Sequence, residues 1–410
     1  MYRKVEESQT LLINTQAKAM ESQNKEVIKF GFGQSPFLPP NHVINALKEA
    51  AHRKEYSSVQ GDLELRKLMS NFHMAHNGLK VDPDNILVAP GSKILLYTIM
   101  LAFEQADVLM PVPSWVSYAP QANLAGHHLI KLNTTYEERW RITPKIMEEA
   151  IKGKHHKDTI MLLNYPGNPD GLTYSQSELE AIAQVAKKHN ILVISDEIYG
   201  LLSFDGPHAS FANYYPERTI TTTGLSKWCG AGGWRLGAAF LYDGIEKEFK
   251  QALIGIGSET YSCAPSPVQM AAKEAYADYN GISEYVSYQT KILQKIGMFC
   301  ATTLNAAGIL VTPPQGGFYI FLDFTMFKDT LSQKGITTSN ELCAQLLKET
   351  GVMILPSSAF GFNTDHLGAR LAFVDFDEPV PQEEFSLKKH GTRVIKGIEL
   401  IVEWIESYRI

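Results

Sequence analysis

From Ile86 to Ser195 the chain alternates short apolar runs with helical patterns, with no internal sequence repeat. The order is a strand at Ile86, a helix from Ser92, a strand near Asp107 to Met110, and a helix near Trp115 to Ala125. Strands follow at His128 to Leu132, Thr159 to Leu163 and Ile191 to Ser195. The run Ile191-Leu192-Val193-Ile194-Ser195 is wholly apolar until its last residue and rich in β-branched side chains, the pattern of a strand buried on both faces. Helix starts are written between the runs. Thr143-Pro144 places a cap ahead of a first-turn proline, and Ser175-Gln176-Ser177-Glu178 is a capping box. Strands alternating with helices predict a mostly parallel sheet with helices on both faces.

In such a sheet, ligands gather at the carboxyl ends of the strands. Three segments there carry chemistry. The buried run ending at Ser195 leads into Asp196-Glu197-Ile198-Tyr199-Gly200. The run ending at Leu163 leads into Asn164-Tyr165-Pro166-Gly167-Asn168-Pro169-Asp170-Gly171, a rigid Pro/Gly turn in which the Asn168-Pro169 bond is a candidate cis bond. The third is Thr221-Thr222-Thr223-Gly224-Leu225-Ser226-Lys227, followed by a glycine-rich turn and Arg235. A lysine amine can hold an aldehyde as a Schiff base, and pyridoxal phosphate is an aldehyde that acts as an electron sink. A strand-end carboxylate such as Asp196 can keep its pyridine nitrogen protonated. The Tyr199 hydroxyl can meet its phenolic oxygen. Each segment also has a plain structural reading, as a turn or a helix cap. The glycines after Lys227 do not form the dinucleotide pattern GxGxxG.

The order PGNP, DEIY, SKxxxxxGxR resembles the class I aminotransferases of the fold-type I pyridoxal phosphate enzymes, and the resemblance covers nearly the whole chain. Tyr56 with Gly61, Leu65 and Arg66, the aromatic segment Trp115 to Tyr118, and Gly368 to Phe373 fall in the family order. The resemblance implies an α/β fold: a large domain with a mostly parallel sheet flanked by helices, over about 45–295, and a smaller α+β domain of 1–44 with 296–410. A long helix from about Ser283 to Asn305 would join them, and a helix from Glu383 to Ser407 would close the chain.

The same resemblance implies the site. Lys227 would be the Schiff-base lysine and proton shuttle, and Asp196 would pair with the pyridinium nitrogen. Asn168 and Tyr199 would bond the phenolic oxygen. Ser226, Arg235 and the backbone of Ser92 and Lys93 would hold the phosphate, since a guanidinium fork and a helix N-terminus both suit that anion. Trp115 would stack on the ring, and Tyr56 would reach a partner subunit's cofactor. Arg370, Asn168 and the Gly33 backbone would take the substrate α-carboxylate. Some relatives near the aspartate transaminases use a lysine placed like Lys93 on a distal carboxylate. The implied activity is therefore a pyridoxal phosphate-dependent aminotransferase working between an amino acid, of the aspartate/glutamate type, and a 2-oxo acid, as a homodimer with shared sites. An aromatic aminotransferase, a carbon–sulfur lyase or aminocyclopropane carboxylate synthase on the same fold, and a non-catalytic ligand sensor are the alternatives. Three departures stand out: Gly33-Gln34-Ser35-Pro36 has one residue more before its proline than the family's glycine-glutamate-proline, Gly230 to Gly233 is more glycine-rich than usual, and Trp115 replaces a more frequent tyrosine.

Composition narrows the field further. Thirty-eight basic and 44 acidic residues give a net charge of −6, which supplies no footprint for nucleic acid. The four cysteines are scattered without a CxxC, so a reducing, cytoplasmic setting is expected. No HExxH or other metal spacing occurs, and the adjacent pairs His127-His128 and His155-His156 read as surface or strand-end residues. The longest apolar stretch, Ile94 to Phe103, is well short of the ~20 residues of a membrane span. The first residues lack the apolar core of a signal peptide.

Overall fold

Seven short strands form the main sheet. A computed structural model describes residues 9–78, 80–376 and 385–408. Its strands, in chain order, are β1 (Ile28–Lys29), β2 (Ile86–Ala89), β3 (Ala106–Val112), β4 (His128–Asn133), β5 (Asp158–Asn164) and β6 (Leu192–Asp196). They continue as β7 (Thr219–Gly224), β8 (Gly237–Leu241), β9 (Tyr319–Asp323), β10 (Val352–Met353), β11 (Leu355–Pro356) and β12 (Gly368–Ala372). The main sheet has the order β2-β8-β7-β6-β5-β3-β4. Every pair is parallel except those of β8, which runs antiparallel to both neighbours.

Both faces are covered, as the continuous apolar runs require. Val108, Ile160, Ile194 and Ile220 point to one face, against Leu95, Leu96 and Ile99 of helix Ser92–Leu101. Their neighbours Leu109, Met161 and Val193 point to the other, against Leu179, Ile182 and Ala183 of helix Gln176–Lys188. The sequence-predicted caps are present: the Thr143 side chain accepts from Ile146 N, and Ser175 with Glu178 closes a capping box.

The long helix spans Tyr279–Ala306, 28 residues or about 42 Å. Beyond it lies a three-stranded antiparallel sheet, β11-β12-β9, and the parallel pair β1-β10. One hydrophobic cluster ties these parts together. It runs from Ile28, Phe30 and Phe37 through Leu225 and Trp228 beside Lys227 to Ile320, Leu371 and Ile401.

Four expectations need correction. The cis bonds are Val112-Pro113 and Tyr165-Pro166, so the Asn168-Pro169 bond is trans. The helix near Trp115 starts at Tyr118; Trp115 sits in the turn before it, its carbonyl accepting from Tyr118 N. The closing helix is broken at Gly391 into Leu387–His390 and Thr392–Glu406, and its expected start at Glu383 lies outside the described residues. His127 is buried, between Ala106 N and Met100 O.

Candidate active site

The parallel register aligns the first three groups. Asn164 pairs with Asp196, and Asp196 with Thr222, at the carboxyl ends of β5, β6 and β7. Asn164 Nδ2 donates to the Asp196 carbonyl at 2.7 Å, and Asn168 N donates to Asn164 Oδ1 at 2.8 Å. A row of adjacent strand ends therefore sets both the buried carboxylate and the turn carrying Asn168.

Asp196 is 4% exposed. Tyr118 Oη donates to its Oδ2 at 2.8 Å and Thr222 Oγ1 to its Oδ1 at 3.1 Å. Burial pushes its carboxyl up to about 6, against the pull of these hydrogen bonds and the Lys227 charge. A carboxylate held this way gains most from a cation bound next to it.

The chain leaves β7 at Gly224 and returns to β8 at Gly237, two residues paired in register. Leu225 N donates to Leu236 O at 3.1 Å, so the loop closes on itself, with Ser226, Lys227 and Arg235 at its mouth. Arg235 has φ +58°, a left-handed conformation rare away from glycine. Its guanidinium lies against Gly91, where a Cβ would come within 2.2 Å of a terminal nitrogen; Gly91 itself has φ +96°. Gly91 immediately precedes helix Ser92–Leu101. A fork of N–H donors beside a helix N-terminus forms an anion cradle. Lys93 Nζ stands 5.4 Å from the centre of the Trp115 ring. Burial, and then the Arg235 charge, lower its pKa.

Opposite, Arg370 on β12 is 1% exposed. One terminal nitrogen donates to Asn168 Oδ1 at 3.0 Å and the other to Gly31 O. Its Nε has no partner among the described residues. Lys227 Nζ donates to Gly33 O at 2.9 Å. The Tyr199 and Tyr319 hydroxyls are 2.9 Å apart.

These groups line one pocket of about 450 Å³. Of the residues expected at the site, Gly33, Ser92, Lys93, Trp115, Asn168, Asp196, Tyr199, Ser226, Lys227, Arg235 and Arg370 all line it. Tyr56 does not; it is 88% exposed in this chain. Sequence reading missed Thr222 and Tyr319, and it gave no individual role to Tyr118 or Asn164, which it had placed in the aromatic segment and in the Pro/Gly turn. Strand register would have found Thr222 and Asn164. Tyr118 and Tyr319 reach the site from outside the three motifs. Among its lining residues the pocket sets four cations, Lys93, Lys227, Arg235 and Arg370, against one carboxylate, Asp196. That balance asks for an occupant with several negative charges and one basic nitrogen. Pyridoxal phosphate with a carboxylate substrate fits: the Gly91–Arg235 cradle suits the phosphate, and Asp196 suits the pyridinium.

The family of class I and II aminotransferases matches residues 25–373. The chain belongs to this family. It is 32% identical over 363 residues to an aspartate aminotransferase of Bacillus sp. (strain YM-2), covering 86% of this chain and 89% of that one. It is 30% identical over 366 residues to an asparagine–oxo-acid transaminase of Streptococcus mutans, covering 87% and 90%. Among solved structures, an aspartate aminotransferase from Rhizobium meliloti superposes with a TM-score of 0.85 at 27% identity, covering 99% of both chains. The Thermus thermophilus aspartate aminotransferase with maleate gives 0.84 at 25% identity, covering 98% and 100%. The protein is a pyridoxal phosphate-dependent aminotransferase that works between an amino acid and a 2-oxo acid. No helix of this aminotransferase, among the described residues, is long and apolar enough to cross a membrane. Among them, no three His, Cys, Asp or Glu side chains are grouped so as to hold a metal ion.

Proposed function

We propose that this aminotransferase takes acidic amino acids, aspartate or glutamate, as donors and works as a homodimer with shared sites. The observation that carries the substrate class is the surplus of cations in the pocket. After Arg235 and the helix start take the phosphate, and Arg370 takes the α-carboxylate, Lys93 remains for a distal carboxylate. The curated relatives named as aspartate aminotransferases support the same class.

Bound pyridoxal phosphate supplies the electron sink for a carbanion at the substrate Cα. Asp196 would keep the pyridine nitrogen charged. Asn168 and Tyr199 would donate to the phenolic oxygen, Ser226 would join Arg235 at the phosphate, and Trp115 would cover the ring. Arg370, with Asn168 and the Gly33 backbone, would fix the α-carboxylate and orient the Cα hydrogen toward Lys227. The Lys227 amine would take and return the Cα proton. Residues 45–295 carry Lys227 and Asp196, and 1–44 with 296–410 carry Gly33 and Arg370, so we take these as the two domains that meet around the substrate. Tyr56 would complete a partner's phosphate site.

A second reading has one observation behind it: Phe32 and Trp115 both line the pocket, and an aromatic side chain could pack there. A half-reaction panel separates the readings. Single amino acids are added to the holoenzyme and the cofactor absorbance is followed. The proposal expects fastest conversion by aspartate or glutamate, reversed by a 2-oxo acid. Fastest conversion by phenylalanine or tyrosine would overturn it, as would conversion that releases ammonia and is not reversed by a 2-oxo acid.

A further inference from the structure

Tyr319 belongs to none of the motifs that mark the pocket, yet it lines it beside Arg370 and Tyr199. It opens β9 and pairs in register with Ala372 of β12, as Phe321 pairs with Arg370. Side chains two apart on a strand share a face, so Tyr319 and Arg370 are diagonal neighbours on the side facing the pocket. The ring centre of Tyr319 lies 4.6 Å from the Arg370 guanidinium carbon, and Phe360 lies at 5.2 Å. The guanidinium is thus held by rings as well as by its hydrogen bonds to Asn168 and Gly31.

The other end of the same side chain reaches the cofactor side. Tyr319 Oη is 2.9 Å from Tyr199 Oη and 3.5 Å from Gly33 O. Gly33 O also accepts from Lys227 Nζ. The fit is close enough to specify residue 33: a Cβ there would come within 1.9 Å of the Tyr319 oxygen. A hydroxyl has one proton to give. If Tyr199 spends its proton on the phenolic oxygen, the short contact makes Tyr319 the donor to Tyr199. Hydrogen bonds in such a chain strengthen one another.

We infer that Tyr319 is a positioning residue of the reaction. Its ring seats Arg370 for the substrate carboxylate, and its hydroxyl backs the hydrogen bond from Tyr199 to the cofactor's phenolic oxygen. One side chain thereby links the substrate end of the pocket to the cofactor end. This rests on the roles given to Tyr199, Arg370 and Lys227 in the proposed function.

Two variants separate the two ends. Tyr319→Phe removes the hydroxyl and keeps the ring; Tyr319→Leu removes both. Two readouts other than turnover are taken on each holoenzyme: the pH midpoint of the cofactor's visible absorbance, and the dissociation constant of maleate, an unreactive dicarboxylate. A phenolic oxygen with a weaker donor is more basic, so Tyr319→Phe is expected to raise the absorbance midpoint by about half a pH unit or more. Its maleate affinity is expected to stay within about twofold. Tyr319→Leu is expected to show the same rise and to bind maleate at least about fivefold more weakly, as a lost cation–π contact implies. A Tyr319→Phe midpoint equal to wild type, or wild-type maleate affinity in Tyr319→Leu, overturns the inference. If wild type itself forms no absorbing adduct on Lys227, the underlying site assignment fails as well, and that failure shows in wild type before either variant is compared.

Discussion

Tyr118 Oη donates to Asp196 Oδ2 at 2.8 Å, across the carboxyl ends of the sheet. Together with Thr222 it gives each carboxylate oxygen a neutral donor, and no salt bridge closes on the carboxylate among the described residues; the Lys227 charge acts on it only from a distance. The structure thereby keeps a costly anion facing the pocket.

That cost has a pH signature. The folded Asp196 carboxyl is held up to about 6, against 3.8 for the unperturbed group. The folded state therefore keeps this proton to higher pH than the unfolded chain. Stability falls as pH rises from 3.8 through about 6, and the loss is complete above that. The difference corresponds to about 3 kcal/mol at most. Cofactor-free Asp196→Asn should be more stable than cofactor-free wild type at pH 8 by up to that amount, with the gap narrowing toward pH 5. Urea unfolding at the two pH values measures it. A variant no more stable than wild type at pH 8 would contradict the assignment, and the same variant should turn over far more slowly.

His73 gives a signal of the opposite sign. It is buried against Phe240, ring centres 4.6 Å apart, and its Nε2 has no partner among the described residues. Burial, and then the charge of His76, lower its pKa to about 3. Folding keeps it neutral, so its stability contribution is complete above 6.5 and is lost as pH falls toward 3. The loss is about 2 kcal/mol by pH 5. His73→Phe should flatten the fall in unfolding free energy between pH 7 and pH 5; an unchanged slope would remove His73 from the account.

Much of this could be read before the structure. The buried runs, caps and strand-end motifs are local signals, and local signals located Lys227, Asp196, Asn168 and Arg235 together. Tyr118 and Tyr319 were not legible because their roles depend on where separate elements meet. Tyr118 acts on a carboxylate 78 positions away in sequence, and Tyr319 meets Arg370 through an antiparallel register that composition does not encode. The Asn168-Pro169 expectation failed for a related reason. A residue pair shows that a cis bond is permitted, and the surrounding packing selects which proline takes it.

Lys93 carries the substrate prediction. Lys93→Met should lose kcat/KM for aspartate at least about tenfold more than for phenylalanine, since only the acidic substrate leaves a carboxylate unpaired. Equal losses for both would place Lys93 on the phosphate alone.

Tyr56 carries the assembly prediction. A two-fold dimer makes its contact reciprocal. Lys227→Ala and Tyr56→Ala chains, each of low activity alone, should recover up to about a quarter of wild-type activity when mixed, because heterodimers hold one intact site of two. No recovery in verified heterodimers, or a fully active monomer, would contradict shared sites.

If Lys227 holds the cofactor covalently, borohydride reduction of the holoenzyme followed by peptide mapping should find a single pyridoxyl-lysine, in the peptide containing Ser226 and Lys227, and none there in Lys227→Ala. Label on any other lysine, or persistence of the reduced adduct in that variant, would contradict it.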